Sequence, residues 1–536
     1  MSASTGGKST TSRPSRRQVL LGGAALTAIT TASVLGSHPT ARAAGTRGAG
    51  APLRGDVFTL GVASGEPDQH SVVLWTRLAP TPLADDGLGG LGRRAVTVQW
   101  EIAHDERFRH VVRRGHETTG PEAGYAVHAE VAGLEPGREY FYRFRCGRFL
   151  SPTGRTRTAP APGVLGTGLM MAFASCAQYE HGYFTAYRRL AEDEPDLVLH
   201  LGDYIYEYGP GAHVSPDGVV RDHRGPETET LAQYRQRYAQ YRTDPDLRAA
   251  HAVAPWLVVP DDHEVDNNWA GYVPEHPQPN FAARRANAFR AYYENMPLRR
   301  RNKPTGSRIR LYRTVAWGSL ANFHMLDTRQ YRDDQACGDG WKVCEDAADP
   351  TRTLTGDDQE RWLLGQFRRS RARWDVLGQQ VFFARKVNDE GAMSMEAWDG
   401  YQGSQDRVSR GWVAAGVRNP VVLTGDVHTH WANELKADYS DPDSPVIGTE
   451  LVTSSVTSGG DGADSDPADH PDLQRNPHIK FRSTQRGYVR TRLTRHELRA
   501  DFRVVDHVTR PGAPARTRAS FVVADRHPGL TEVSPR

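Results

Sequence analysis

Three short apolar runs in this chain each give way to acidic residues: LVLHLGDYIYEYG (197 to 209), LVVPDDHEVDNNW (257 to 269) and VVLTGDVHTHW (421 to 431). Runs unbroken by polar alternation read as strands covered on both faces, which calls for a layered α/β architecture. In open α/β sheets the functional groups gather just beyond the carboxyl ends of such strands. Asp203, Tyr206, Asp262, Asp426, His428 and His430 are therefore expected to converge in space.

The rest of the chain supports two domains. After a Gly-, Ala- and Arg-rich linker, residues 57 to 158 carry short β-type runs such as SVVLWTRL, VTVQWEIA and YFYRFR between turn-rich stretches. That is the pattern of a small all-β sandwich spanning 45–158, and GLEPGREYFYRFR is similar to the end of a fibronectin type III domain. The Pro- and Gly-rich TAPAPGVLGTG marks the boundary, and from 168 to 536 strands alternate with helical segments. FTAYRRLAEDEPD, TLAQYRQRYAQYR, FAARRANAFRAYYENM and GDDQERWLLGQFRRSR read as helices, SLANFHML as a strand, and Thr355 as an N-cap. GGDGADSDPADHPD, at 459 to 472, lacks apolar residues other than alanine and reads as a solvated loop.

The N-terminus carries Ser15, Arg16 and Arg17 before an apolar stretch, then Ala41-Arg42-Ala43, a small-residue cleavage site before Ala44. This is the pattern of a twin-arginine export signal over 1–44, which predicts passage through the twin-arginine translocase and a secreted or cell-wall-associated protein. No later segment is long and apolar enough to span a bilayer. The leader holds five of the 67 basic residues and none of the 64 acidic ones, so the remaining chain carries 62 basic side chains and a net charge of about −2. A nucleic-acid footprint is thereby excluded. Basic clusters such as Leu298-Arg299-Arg300-Arg301 read as solvated faces. Four cysteines are too few for a disulfide framework, but Cys337 and Cys344 are spaced to close one surface loop after export. Cys146 reads as a strand residue.

Phosphate esters resist hydrolysis because their anionic oxygens repel hydroxide, and two metal ions can both neutralise that charge and generate the nucleophile. Asp203 has two oxygens with which to bridge a pair of ions, and Tyr206 returns to the same side of a turn. Asp262 adds a hard oxygen ligand. His263 is placed to protonate the leaving alkoxide or to hydrogen-bond the phosphoryl oxygen, and Glu264 either orients His263 or faces solvent. Asn267 and Asn268 offer neutral oxygens but are equally ordinary turn residues. If the backbone stays extended beyond Gly425, Asp426, His428 and His430 share one face as a D-x-H-x-H ligand cluster. Cys176 ends the run MMAFASC on a neighbouring strand, where it is either an inert core residue or part of the same cluster.

The ordered set SCAQ, GDYIYEY, DDHEVDNNW and GDVHTHW resembles the PhoD-type alkaline phosphatases over nearly the whole chain beyond the leader. The resemblance implies an N-terminal β domain joined to a metallophosphoesterase domain related to purple acid phosphatases. It also implies a ferric ion surrounded by Cys176, Asp203, Tyr206 and His430, with Asp203 shared with calcium and Asp262 and Asp426 on the calcium side. His428 is left as either a metal ligand or a phosphate contact. Hard phenolate and carboxylate donors suit Fe3+ and Ca2+. The activity implied is hydrolysis of phosphate esters by metal-bound hydroxide; the alternative is a phosphodiesterase or phospholipase D-like activity on the same site.

Overall fold

A computed structural model describes residues 55–463 and 470–534. The expected leader, and part of the loop expected at 459 to 472, lie outside the described residues. Among the described residues no helix is long and apolar enough to cross a membrane.

Two sheets are stacked face to face. The first has ten strands, in the order His527–Val533, Ala515–Ala524, Glu497–Val505, Gly487–Leu493, Leu169–Ala174, Leu197–His200, Pro255–Val258, Val62–Gly65, Ser71–Arg77 and Ala126–Ala132. The second has seven, in the order Arg313–Trp317, Ala321–Met325, Trp374–Gly378, Pro420–Thr424, Val446–Val452, His430–Lys436 and Ile479–Ser483. At the centre of each, neighbouring strands run parallel. Met171, Phe173, Leu199 and Leu257 of the first sheet meet Phe323, Val376, Val421 and Leu451 of the second in a shared core. The opposite faces are covered by helices. Thr185–Glu192, Leu231–Thr243, Pro245–Val253 and Phe281–Asn295 pack on Val198, Trp256 and Val258, while Gly356–Arg369 and Gln402–Ala414 cover Leu377, Val422 and Val452. Burial on both faces is why the central runs are apolar throughout rather than alternating.

The N-terminal strands build a second layered unit: Val111–Thr119, Val96–Ala103 and Glu139–Cys146, with two short strands, form a five-stranded sheet. Its inner side chains Val98, Ile102, Tyr142 and Phe144 pack on Val72, Leu74, Val127 and Val131. Those last four lie on strands of the ten-stranded sheet, so the β layer and the catalytic layer share one continuous ladder. Arg299 reinforces this joint, while Arg300 and Arg301 are exposed, as expected of a solvated face. Arg299 donates to Ser71 at 2.9 Å and Arg300 to Glu117 at 2.7 Å.

The helix expectations hold with one local change. Thr230 caps Leu231–Thr243 through a reciprocal capping box with Gln233. Thr355 does sit at the N-cap of Gly356–Arg369, but its hydroxyl is buried and makes no cap bond; Thr353 Oγ1 accepts the Gly356 N–H at 2.9 Å instead. Cys146 is buried in its strand, and Cys337 and Cys344 form a disulfide.

Candidate active site

Four strand ends deliver the site. Beyond Leu169–Ala174 comes Cys176, beyond Leu197–His200 comes Asp203, beyond Pro255–Val258 come Asp261 and Asp262, and beyond Pro420–Thr424 comes Asp426. The first three strands are parallel neighbours in one sheet, and the fourth lies in the other. The backbone turns sharply at each exit: Cys176, Asp203, Asn268, Asp426 and His428 have φ between 48° and 64°. For non-glycine residues that region is costly, and such strain collects where a side chain must be aimed. Gly202, at φ 107°, is required by contact, since a Cβ there would stand 2.3 Å from the Asp261 Cβ.

Cys176 Sγ, an Asp203 carboxylate oxygen and a His428 ring nitrogen lie within 4.8 Å of one another. Tyr206 joins them: its hydroxyl donates to Asp203 Oδ2 at 2.9 Å and stands 3.1 Å from His428 Nε2 and 2.7 Å from Ser458 Oγ. Two further groups adjoin, Asp203 with Asp262 and His263, and Asp261 with Asp262 and Asp426. Asp203 and Asp262 each belong to two of the three groups, which gives a chain of adjacent coordination positions. Asp203 Oδ1, Asp261 Oδ2 and Asp262 Oδ1 are buried and accept no hydrogen bond. An orphaned carboxylate oxygen is costly in a protein interior, and several facing one another suit a cation.

The expected D-x-H-x-H face does not form. Positive φ at Asp426 and His428 breaks the extended alternation, and a regular strand begins only at His430. His428 consequently turns to Tyr206, whereas the Nδ1 of His430 accepts the Ser454 N–H at 2.9 Å. Its Nε2 is buried without a hydrogen-bond partner, and His430 stands outside the ligand groups found among the described residues. Burial pushes both histidines down to about 3, keeping them neutral.

His263 is held by a residue the sequence did not single out. Its Nδ1 is 2.8 Å from Glu207 Oε2, and its ring stacks on Tyr206 with centroids 4.0 Å apart. Burial alone would lower its pKa, but Glu207, Asp262 and Asp203 outweigh burial and hold it well above the usual histidine range. Glu207 thereby orients the ring through Nδ1 and favours its protonated form. Glu264, one residue away, neither orients His263 nor faces solvent. It is buried and accepts the backbone N–H groups of Asp203, Tyr204 and Asp261 at 3.1, 2.6 and 2.8 Å, tying two strand ends together.

Arg329 was also not singled out. It donates to Asp261 Oδ1 at 2.6 Å, and its outer nitrogen lies 3.5 Å from both Asp262 Oδ1 and Asp426 Oδ1. Burial raises the Asp262 pKa, yet Arg329 and His263 reverse this and keep it ionised. Burial carries Asp426 up to about 6, against the pull of Arg329. Burial, with Asp262 and Asp261 close by, keeps Asp203 well above the carboxylate range despite His263, and burial with Asp203 does the same to the Cys176 thiol. Carboxylates still outnumber cations here, so the cluster remains electrostatically incomplete. Asn267 and Asn268 act through their backbones, donating to Glu207 Oε1 and Asp262 Oδ2 at 2.9 and 2.8 Å.

Comparison with known proteins identifies the family. Residues 171–502 match the family described as PhoD-like phosphatase, and residues 43–160 match its N-terminal domain. The chain is 51% identical over 483 residues to alkaline phosphatase D of Bacillus subtilis (strain 168), covering 89% of this chain and 82% of that protein. A solved structure titled "Structure of PhoD" superimposes with a TM-score of 0.88 at 50% identity, covering 91% of this chain and 94% of the other. The matched family models, the overall superposition and identity sustained across nearly the whole chain therefore place it in the PhoD-like phosphatase family, as a phosphoric ester hydrolase.

Proposed function

We propose that this protein is an exported, metal-dependent alkaline phosphatase that hydrolyses phosphate monoesters at the centre described above. The observation that carries the reading is the set of buried, unpartnered carboxylate oxygens of Asp203, Asp261 and Asp262 beside Cys176, Tyr206 and His428. A thiol, a phenol, a carboxylate and a neutral imidazole make a donor set for ferric iron, and we assign it to Cys176, Asp203, Tyr206 and His428. The neighbouring all-oxygen positions at Asp203, Asp262 and Asp426 suit calcium, which takes hard oxygen ligands in flexible geometry. When bound, the cations supply the nucleophile from water and neutralise charge on the phosphoryl oxygens.

The chain's own groups do the rest. Glu207 orients the ring of His263 through Nδ1 and favours its protonated form, and the Nε2 proton is the one given to the departing alkoxide. Arg329 keeps Asp262 ionised and ready to bind a cation. Glu264 sets the separation of the Asp203 and Asp261 strand ends. The Arg16-Arg17 leader supports delivery through the twin-arginine translocase, which carries folded, metal-loaded proteins to the wall or medium.

A phosphodiesterase or phospholipase D-like activity uses the same groups. One preparation assayed on p-nitrophenyl phosphate, bis-p-nitrophenyl phosphate and phosphatidylcholine separates these readings. Preferred turnover of the monoester is expected; dominant headgroup release from the lipid would overturn that preference.

A further inference from the structure

A second chamber adjoins the reaction centre on the Asp426 side. It holds about 270 Å³ and is lined by Trp341, Phe382, Lys386, Ser394, Asp399 and Asp426, among others. Asp426 forms part of its wall and also belongs to the Asp261, Asp262, Asp426 group, so whatever is bound at that group borders the chamber. Trp341 comes from the loop closed by the Cys337–Cys344 disulfide, whose strand Trp341–Lys342 pairs with Met393–Ser394. The loop is also tied to the active-site turn, because Asn268 Nδ2 donates to Asp339 Oδ2 at 2.5 Å.

Lys386 is the unusual member. Its Nζ stands 4.5, 4.6 and 5.2 Å from the ring centres of Trp431, Phe382 and Trp341. Ring faces attract an ammonium through their quadrupoles, but they leave its three N–H donors without an oxygen acceptor. Among the described residues no hydrogen bond or ion pair joins Nζ to a protein oxygen, although its backbone N–H reaches Asp399 Oδ2 at 3.0 Å. Burial holds the ammonium below the ordinary lysine range, against the pull of Asp472, Asp399 and Glu450. An ammonium faced by three rings, with no oxygen acceptor of its own, gains from a second negative group arriving with the substrate.

We propose that this chamber receives the organic arm of the substrate, with the aromatic faces taking its carbon skeleton and Lys386 binding a second anionic group carried on that arm. The enzyme then favours phosphate esters whose alcohol bears a further carboxylate or phosphate over neutral esters of the same length. This rests on the phosphatase reading of the main centre and adds a specificity residue to it.

The test compares ω-carboxyalkyl phosphates of two to five methylenes with n-alkyl phosphates of matched length, in the native enzyme, Lys386→Met and Lys386→Arg. The ratio of kcat/KM, charged over neutral, is expected to peak at one length in the native enzyme. It should fall roughly tenfold in Lys386→Met, the loss of one charge-assisted hydrogen bond, and recover largely in Lys386→Arg. Titration of the matching non-hydrolysable carboxyalkyl phosphonates should lose affinity by the same factor in the methionine variant. An equal ratio in native and Lys386→Met protein at every length, with no difference in phosphonate affinity, overturns the subsite. Failure of all three proteins to release phosphate from any ester while the phosphonates still discriminate overturns the phosphatase reading and leaves the subsite standing.

Discussion

Replacing Glu207 with glutamine tests how His263 is made into an acid. The carboxylate contributes a 2.8 Å hydrogen bond to Nδ1, buried on both sides, and its other oxygen accepts the Asn267 N–H at 2.9 Å. Glutamine preserves the shape and can still accept one of these bonds, so the main change is loss of charge. A hydrogen bond to a charged group is worth about 1.5–3 kcal/mol and a neutral one about 0.5–1.5, a difference of about 1 to 1.5 kcal/mol. At about 1.4 kcal/mol per pKa unit, the His263 pKa should drop by roughly one unit. The sign follows from its role: His263 must be protonated to act, so the alkaline limb of kcat/KM moves about one unit to lower pH while the acid limb stays. The effect depends on the leaving group. Alkyl esters such as glycerol 2-phosphate, which need the proton, should lose about tenfold at alkaline pH. p-Nitrophenyl phosphate, whose phenolate leaves unaided, should change little. An alkaline limb that does not move in a folded variant with native metal content, or equal losses on both esters, would refute the acid role of His263 and its control by Glu207.

Other consequences are as direct. Asp203→Asn removes the carboxylate shared by two coordination groups; turnover should fall on the order of a thousandfold or more with the circular dichroism spectrum unchanged, and near-native turnover in a metal-loaded variant would contradict the shared-ligand arrangement. Stripping calcium with a selective chelator should abolish activity, and added calcium should restore it; an enzyme indifferent to the chelator has no accessible calcium in its mechanism. His200 is buried against Tyr187 and Trp256, and burial pushes its pKa down to about 3. The unfolded chain binds that proton below about pH 6.5, so stability from this residue is complete above pH 6.5 and lost between pH 6.5 and 3, on the order of a few kcal/mol. Urea melts at pH 7 and pH 4.5 should show a smaller loss for His200→Gln than for the native protein; equal losses would remove His200 from the account of acid sensitivity.

Much of the centre could be read from residue order because the architecture forces it. Strands buried on both faces must be apolar, and their ends are where polar groups can emerge, so Cys176, Asp203, Tyr206, Asp262 and Asp426 are legible in the residue order itself. What could not be read was local backbone geometry and partnering across long separations. Extended alternation assigned His428 and His430 to one face, but two left-handed residues rotate the turn and only His428 reaches Tyr206. Glu207 lies inside GDYIYEY, one residue past Tyr206, and its carboxylate gave no sign of pairing with a histidine 56 positions later. Arg329 follows the strand Ala321–Met325, whose end is again where a site residue is expected, and an unmatched basic residue there was the available signal. The β-sandwich pattern of the N-terminal segment was legible in its alternation, but the continuity of its strands with the catalytic sheet depends on pairings such as Ser64 with Pro255.

We assign ferric iron to Cys176, Asp203, Tyr206 and His428, beside calcium held by Asp203, Asp262 and Asp426. Elemental analysis of the purified protein, combined with its visible spectrum before and after Tyr206→Phe, tests this most directly. Iron and calcium are expected in every chain, with a visible band from phenolate-to-iron charge transfer that is lost in the phenylalanine variant while some iron is retained. A colourless native protein carrying zinc in place of iron, or a band untouched by Tyr206→Phe, would contradict this assignment.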